Sequence, residues 1–216
     1  MRGAQCETVG IGGPDGLNPA LHRASHVLLG GGVILYPTDT IYGLGCLAGN
    51  PAAVERLYAI KGKPDTKPSL VLVDSVAMAS AMTTDPPPLA RRLMDLFWPG
   101  PLTLVLTAAP AVSPLLTAGS GKIGVRLPAD EFCRRLALRC ESPLVSTSAN
   151  RSGVPPVAAV TALIRQFSVQ IDLAVDGGER VSPPSTVVDV SAGELRIIRE
   201  GAISATDLAR ALSTRP

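Results

Sequence analysis

The chain has 216 residues, a formal net charge of +2, 46% apolar residues and 18% charged residues. That apolar share excludes intrinsic disorder as the main state, and the length suffices for a full core without disulfide or metal staples. So small a charge gives no compositional argument for nucleic-acid binding, and 3% aromatic residues leave too few rings for a base-stacking platform. No apolar run reaches the ~18–20 residues of a membrane-spanning helix. Residues 1–11 hold one Arg and no long apolar stretch, which speaks against a secretory leader. A cytoplasmic protein with no membrane partner is expected. Cys6, Cys46, Cys133 and Cys140 form no C-x-x-C pair, and His22 and His26 are the only histidines, so neither a zinc site nor a disulfide framework is expected.

Strands and helices alternate along the chain. Asn18-Pro19 predicts an N-cap with Pro at the first helical position; Leu21, Ala24 and Leu28 then share a face, and the glycines at 30–32 stop the helix. Residues 33–36 predict a strand. Asn50-Pro51 repeats the helix-start signal, with Val54, Leu57 and Tyr58 as the apolar face. Segments 70–73, 102–106, 123–126 and 144–146 predict buried strands, and 129–138, 158–167 and 205–212 predict helices. Ser204 and Asp207 form a variant capping box. Strands at 173–175, 186–190 and 195–198 follow one another closely, unlike a simple doubly wound sheet. The prolines at 85–88, 155–156 and 183–184 read as turns or loop edges, too short for interdomain linkers.

Among common templates, the P-loop, the dinucleotide fingerprint, G-x-S-x-G and H-E-x-x-H are all absent. Four polar stretches remain. Tyr36-Pro-Thr-Asp-Thr-Ile-Tyr-Gly-Leu-Gly45 follows a strand, where open α/β sheets bind ligands, and gathers Thr38, Asp39, Thr40 and Tyr42. Lys61-Gly-Lys-Pro-Asp-Thr-Lys-Pro68 sets three lysines in a constrained loop, compact charges suited to phosphate. Val145-Ser-Thr-Ser-Ala-Asn-Arg-Ser-Gly153 offers hydroxyls and an amide after an apolar strand. Pro183-Pro-Ser-Thr-Val-Val-Asp189 brings Ser185, and Arg126 and Arg199 are cations at strand ends. Each alone also reads as a polar turn, a solvated basic loop or, for the arginines, a surface ion pair. Together they suggest one anion-binding cleft that works by positioning and charge, without a strong nucleophile.

In their order, P-T-D-T-x-Y-G-L-G, the lysine loop, V-R-L-P, S-A-N-x-S-G, S-T-V-V-D and R-x-G resemble the YrdC-type threonylcarbamoyl-AMP synthase family, over residues 31–201. The resemblance implies an α/β fold: a twisted open mixed sheet with flanking helices and a large concave cavity, in one YrdC-like domain over residues 1–216 with its core at about 18–212. It implies a nucleotidyltransferase that joins L-threonine, bicarbonate and ATP into threonylcarbamoyl-adenylate and pyrophosphate. Mg2+ is expected to arrive with the ATP. The acceptor step belongs to a threonylcarbamoyl transferase complex acting on the adenosine beside the anticodon of tRNA.

By the same resemblance Thr40, Arg126, Ser146 and Ser185 bind threonine or its carbamate, and Lys63, Lys67, Lys122, Ser148, Asn150 and Arg199 face the nucleotide. Lys61, Lys63, Ser148 and Asn150 are the expected catalytic set. Lys63 stands where the family usually has Arg, and Pro156 where a Ser is expected. The extra C-terminal domain of longer members is expected to be missing. Two other readings fit the residues: a module binding tRNA or double-stranded RNA through the lysine loop and Arg134-Arg135, and a carbamoyl-adenylate enzyme with a different acceptor. The glycine- and proline-rich segment 175–185 is expected to be mobile over the site.

Overall fold

A computed structural model describes residues 6–12, 16–62, 67–150, 159–167 and 169–213. In chain order the elements are β1 (Glu7–Gly10), α1 (Leu17–Leu29), β2 (Ile34–Tyr36), β3 (Gly43–Leu47), α2 (Pro51–Lys61), β4 (Leu70–Leu72), α3 (Val76–Met82) and α4 (Pro88–Phe97). They continue with β5 (Leu102–Thr107), α5 (Pro114–Thr117), β6 (Lys122–Arg126), α6 (Glu131–Arg139), β7 (Leu144–Ser148), α7 (Val160–Phe167), β8 (Leu173–Asp176), β9 (Thr186–Asp189), β10 (Arg196–Arg199) and α8 (Ala205–Ser213). The strands form one open sheet in the order β1-β8-β2-β3-β7-β4-β6-β5-β9-β10. Pairs β1/β8, β2/β8, β4/β6 and β5/β9 are parallel and the rest antiparallel, so the sheet is mixed, as expected.

Register decides what each face does, because residues paired across strands point the same way. Cys46, Val145, Val71, Val125, Leu104 and Val188 lie in one row and face the first side. That row is apolar throughout. Val54 and Leu57 of α2, Ala79 of α3 and Leu163 and Phe167 of α7 cover its middle, and Ala90, Leu93 and Leu208 of α4 and α8 cover its β5–β9 end. The second side divides in two. Ile34, Leu47, Leu144 and Leu72 are apolar and lie beneath Leu21, Ala24 and Leu28 of α1 and Phe132 and Leu136 of α6. Further along, the same side presents Ser146, Ser148, Gly124, Lys122, Thr103 and Asp189, and a cavity stands there instead of a helix.

The local signals explain most boundaries. Asn50 Oδ1 accepts from the Ala53 N–H at 3.1 Å, with Pro51 next, and Gly62 ends α2 in the left-handed region at φ 79°. Asp130 caps α6 through Cys133 N–H at 3.0 Å. Ser204 Oγ accepts from the Asp207 N–H and donates to its carboxylate.

Other expectations are corrected. Helix α1 starts two residues earlier, with Gly16 as the cap, because Asn18 Oδ1 is taken by Arg135 Nη2 of α6 at 2.7 Å. Pro88 is the first residue of α4 rather than a loop edge. Residues 43–47 form β3, where a loop was expected: with Gly43 and Gly45 on one face, no side-chain alternation betrays the strand. Strand β1 and helices α3, α4 and α5 were not anticipated; all but the ten-residue α4 are short. The segment around Pro155 and Pro156 lies outside the described residues.

Two outcomes test this packing. An ideal Cβ on Gly45 would stand 2.6 Å from the Val145 carbonyl oxygen and 2.7 Å from Tyr36 Cε1, a strand backbone and a fully buried ring. Gly45→Ala is expected to cost about 2 kcal/mol, read as a fall in Tm of about 4–8 °C. Burial pushes the Cys46 thiol up to about 12 and Cys140 up to about 11, and holds Cys133 well above its ordinary value. At pH 8 all three stay protonated, so a thiol reagent should label half-buried Cys6 first and the others only after unfolding.

Candidate active site

The cavity measures about 800 Å3 and is floored by the sheet itself. That is within the range of small-molecule sites, roughly 300–1,000 Å3. It was expected over the carboxyl ends of strands. It lies along the face instead, because antiparallel neighbours bring amino and carboxyl ends to the same edge.

At one end sits Arg126, the last residue of β6 and only 2% exposed. Its Nη2 donates to Asp39 Oδ1 at 2.6 Å, and its Nη1 reaches Thr40 Oγ1 at 3.3 Å. Asp39 Oδ2 also accepts from the Ala129 N–H at 3.1 Å, tying the β2–β3 turn to the chain entering α6. Arg126 Nε is buried and has no hydrogen-bond partner among the described residues. Arg199 Nη2 donates to the Ser185 carbonyl at 2.8 Å and approaches its hydroxyl at 3.3 Å. Ser185 Oγ lies 3.0 Å from Thr103 Oγ1. Burial first, and the nearby Arg126 charge second, lower the Arg199 pKa. Arg199 has no ion pair among the described residues, so this end carries two guanidiniums and one carboxylate.

The other end is also ionic. Lys122 Nζ donates to Asp189 Oδ2 at 2.8 Å. Burial raises the Asp189 pKa, but the Lys122 and Ser191 hydrogen bonds outweigh it and hold the carboxyl below its ordinary value. Arg196 stands opposite Asp189 in the β9–β10 register, and exposed Lys67 lies at the rim.

Thr40, Lys67, Lys122, Arg126, Ser146, Ser148, Ser185 and Arg199 therefore all line one cavity. Lys61 and Asn150 stand behind its wall. The Lys61 ammonium donates to the carbonyl oxygens of Ser148, at 2.7 Å, and of Asn150, while Ser148 Oγ donates to Asn150 Oδ1. Lys61 thus braces the S-x-N turn from the end of α2. Lys63 lies outside the described residues.

Sequence reasoning passed over Thr103, Tyr58, Ser69 and Arg180. Tyr58 and Ser69 share a short hydroxyl–hydroxyl hydrogen bond in the cavity wall. Thr103 had a readable signal, a polar residue inside the apolar strand Leu102-Thr-Leu-Val-Leu106. Gly201 explains R-x-G: a Cβ there would lie 2.1 Å from the Pro184 carbonyl oxygen, so only glycine lets this turn close on Ser185 and set Arg199 above it.

Removing the charge that holds Arg126 should be costly, because a buried cation would be left uncompensated. Asp39→Ala is expected to lower the unfolding free energy by about 3 kcal/mol, measured as a fall in the urea midpoint at unchanged slope.

Residues 26–201 match the model of the Sua5/YciO/YrdC family, described as telomere recombination. The threonylcarbamoyl-AMP synthase of Pyrococcus abyssi is 33% identical over 84% of this chain and 54% of its own length. That of Thiobacillus denitrificans is 37% identical over 84% of this chain and 95% of its own. The crystal structure of P. abyssi Sua5 complexed with L-threonine superposes with a TM-score of 0.88 at 30% identity, covering 96% of this chain and 61% of that one. The chain thus spans about half the length of the P. abyssi relative and nearly all of the T. denitrificans one. With the mixed sheet and the motif order, this match over most of the chain places it in the Sua5/YciO/YrdC family.

Proposed function

We propose that this chain is a threonylcarbamoyl-AMP synthase, a nucleotidyltransferase that converts L-threonine, bicarbonate and ATP into threonylcarbamoyl-adenylate and pyrophosphate. The observation that carries the reading is the surplus cation at the Arg126 end: two guanidiniums, one carboxylate, and the hydroxyls of Thr40, Ser146 and Ser185 around them. Such a site suits a small amino acid with a hydroxyl and a carboxylate. The similar P. abyssi Sua5 structure holds L-threonine.

The reaction has two steps. The threonine amine attacks bicarbonate and water leaves, giving a carbamate and a second negative charge on the substrate. Arg126 and Arg199 compensate it. A carbamate oxygen then attacks the α-phosphorus of ATP in line, and pyrophosphate departs toward the lysine-bearing rim. Lys67, Lys122 and Ser148 face that path, with Lys61 and Asn150 holding the Ser148 turn, and Lys63 joins them on this reading. Rate acceleration comes from placement and fixed charge. Asp39 and Asp189 are both engaged by cations, so the donor set fits Mg2+ carried on the triphosphate rather than caged by carboxylates. The unstable adenylate passes to a transferase complex acting on tRNA, and the chemistry belongs to the cytoplasm.

Pyrophosphate release should require L-threonine, bicarbonate and ATP together, with threonylcarbamoyl-adenylate detected by mass. Release indifferent to threonine would point to another acceptor. No release, with salt-sensitive RNA binding, would favour the RNA-binding reading. Arg126→Ala is expected to lower kcat/KM for threonine by at least about 100-fold, and Asp39→Ala should follow it in the same direction.

A further inference from the structure

The turn that follows β8 makes contacts that the proposed reaction does not use. Arg180 Nε donates to the Thr38 carbonyl at 3.0 Å, and its Nη1 donates to the Gly177 carbonyl at 2.7 Å. The Tyr42 hydroxyl accepts from the Gly177 N–H at 2.9 Å and donates to the Gly178 carbonyl at 2.8 Å. Two turns more than 130 residues apart in sequence are thereby stitched together. A Cβ on Gly177 would lie 2.7 Å from Pro37 Cγ and 3.0 Å from Arg180 Nη2, so glycine is what allows the approach. The first part of segment 175–185, expected to be mobile, is tied down.

The proton inventory of the Thr38–Thr40 pair shows what the tie achieves. Thr38 Oγ1 donates its single proton to the Ile41 carbonyl at 2.7 Å and accepts the Thr40 N–H at 3.1 Å. The 3.0 Å contact between the two threonine hydroxyls must then be donated by Thr40. Thr40 Oγ1 also accepts from Arg126 Nη1. Its proton and one lone pair are spent, one lone pair is left over, and Thr40 lines the cavity. It is an acceptor for a ligand N–H or O–H.

We infer that Arg180 is a positioning residue for the threonine subsite: by holding the Thr38 carbonyl it fixes the turn that makes Thr40 an obligate acceptor for the substrate ammonium or hydroxyl. The inference rests on the proposed reaction. Arg180 touches no reacting atom.

Steady-state kinetics with each substrate varied in turn test it. Arg180→Ala should raise the threonine KM about tenfold, with the ATP KM within about twofold, and Arg180→Lys, which restores an N–H donor to Thr38, should recover much of the loss. Tyr42→Phe, which cuts the same tie without touching Arg180, should shift the threonine KM in the same direction. If the Ala variant does not fold, Arg180→Met keeps the aliphatic stem and replaces it. An unchanged threonine KM overturns the inference. So does a loss that raises both KM values equally, falls with Tm and is not rescued by Lys, which is the signature of a merely structural role. A wild-type chain that releases no threonine-dependent pyrophosphate instead refutes the reaction itself, and does so before any variant is made.

Discussion

A guanidinium inside a sheet governs this molecule. Arg126 is 2% exposed, and removing such an ion from water costs several kcal/mol unless a counter-charge and hydrogen bonds meet it. Asp39 supplies the charge at 2.6 Å. That carboxylate belongs to the turn between β2 and β3, so the turn has to fold back over the sheet face to reach it. Thr38 and Thr40 are delivered to the cavity by the same movement. The second Asp39 oxygen takes the Ala129 N–H, which fixes how the chain leaves β6 for α6. One ion pair therefore places a turn, a helix approach and the hydroxyls beside them.

Arg126 also marks a boundary. It pairs in register with Leu72, which pairs with Leu144, and both leucines lie under α1 and α6. One step toward the other end of the strands, the row reads Leu70, Gly124, Val105, Asp189 and Arg196, and no helix covers it. Helices stop where apolar area stops, because each buried methylene contributes about 0.8 kcal/mol and charged side chains contribute the opposite sign. The cavity is the uncovered remainder of a face whose other half is core. The far wall is fixed separately: Thr186 Oγ1 donates to the Ile203 carbonyl and accepts the N–H groups of Gly201 and Ile203, which locks β10 and Arg199 against Ser185.

What the sequence made legible follows from the range of each interaction. Caps, as at Asn50 and Asp130, are local and were readable or nearly so. The polar stretches were readable because their residue types are unusual after apolar strands, and eight of the expected site residues do line one cavity. Asn18 misled because its partner, Arg135, lies 117 residues away. Strand β3 was hidden because Gly43 and Gly45 remove the alternation, and they do so to make room for the Tyr36 ring. The roles of Thr103 and Arg180 exist only once β5 lies beside β9 and the β8 turn reaches Thr38. Lys61 was legible as a cation but not as a brace, since the carbonyls it holds come from a strand far along the chain.

The ionic pattern of the cavity then acquires a direction. Arg126 and Lys122 are four residues apart on β6, about 13 Å at the usual strand rise. Each is paired with a carboxylate, Asp39 at one end and Asp189 at the other, and the pairing holds each cation still. Among the described residues, the lining cations without an ion pair include Arg199 beside the first pair and Arg196 beside the second, the two ends of β10, and Lys67 at the rim. Gly124 lies midway and places no side chain on the floor between them. The proposed substrates fit this ruler, with the amino-acid end toward Arg126 and Arg199 and the polyphosphate toward Lys122 and Lys67. In that proposal the carbamate and the α-phosphorus would meet over Gly124. On the proposed reaction, attack there would displace pyrophosphate toward the rim, where Lys67 is exposed, and leave the adenylate beside Arg126. If the proposed reaction holds, this charge pattern separates a leaving group at the exposed rim from a product held at the buried end, a division that a uniformly basic cleft would not make.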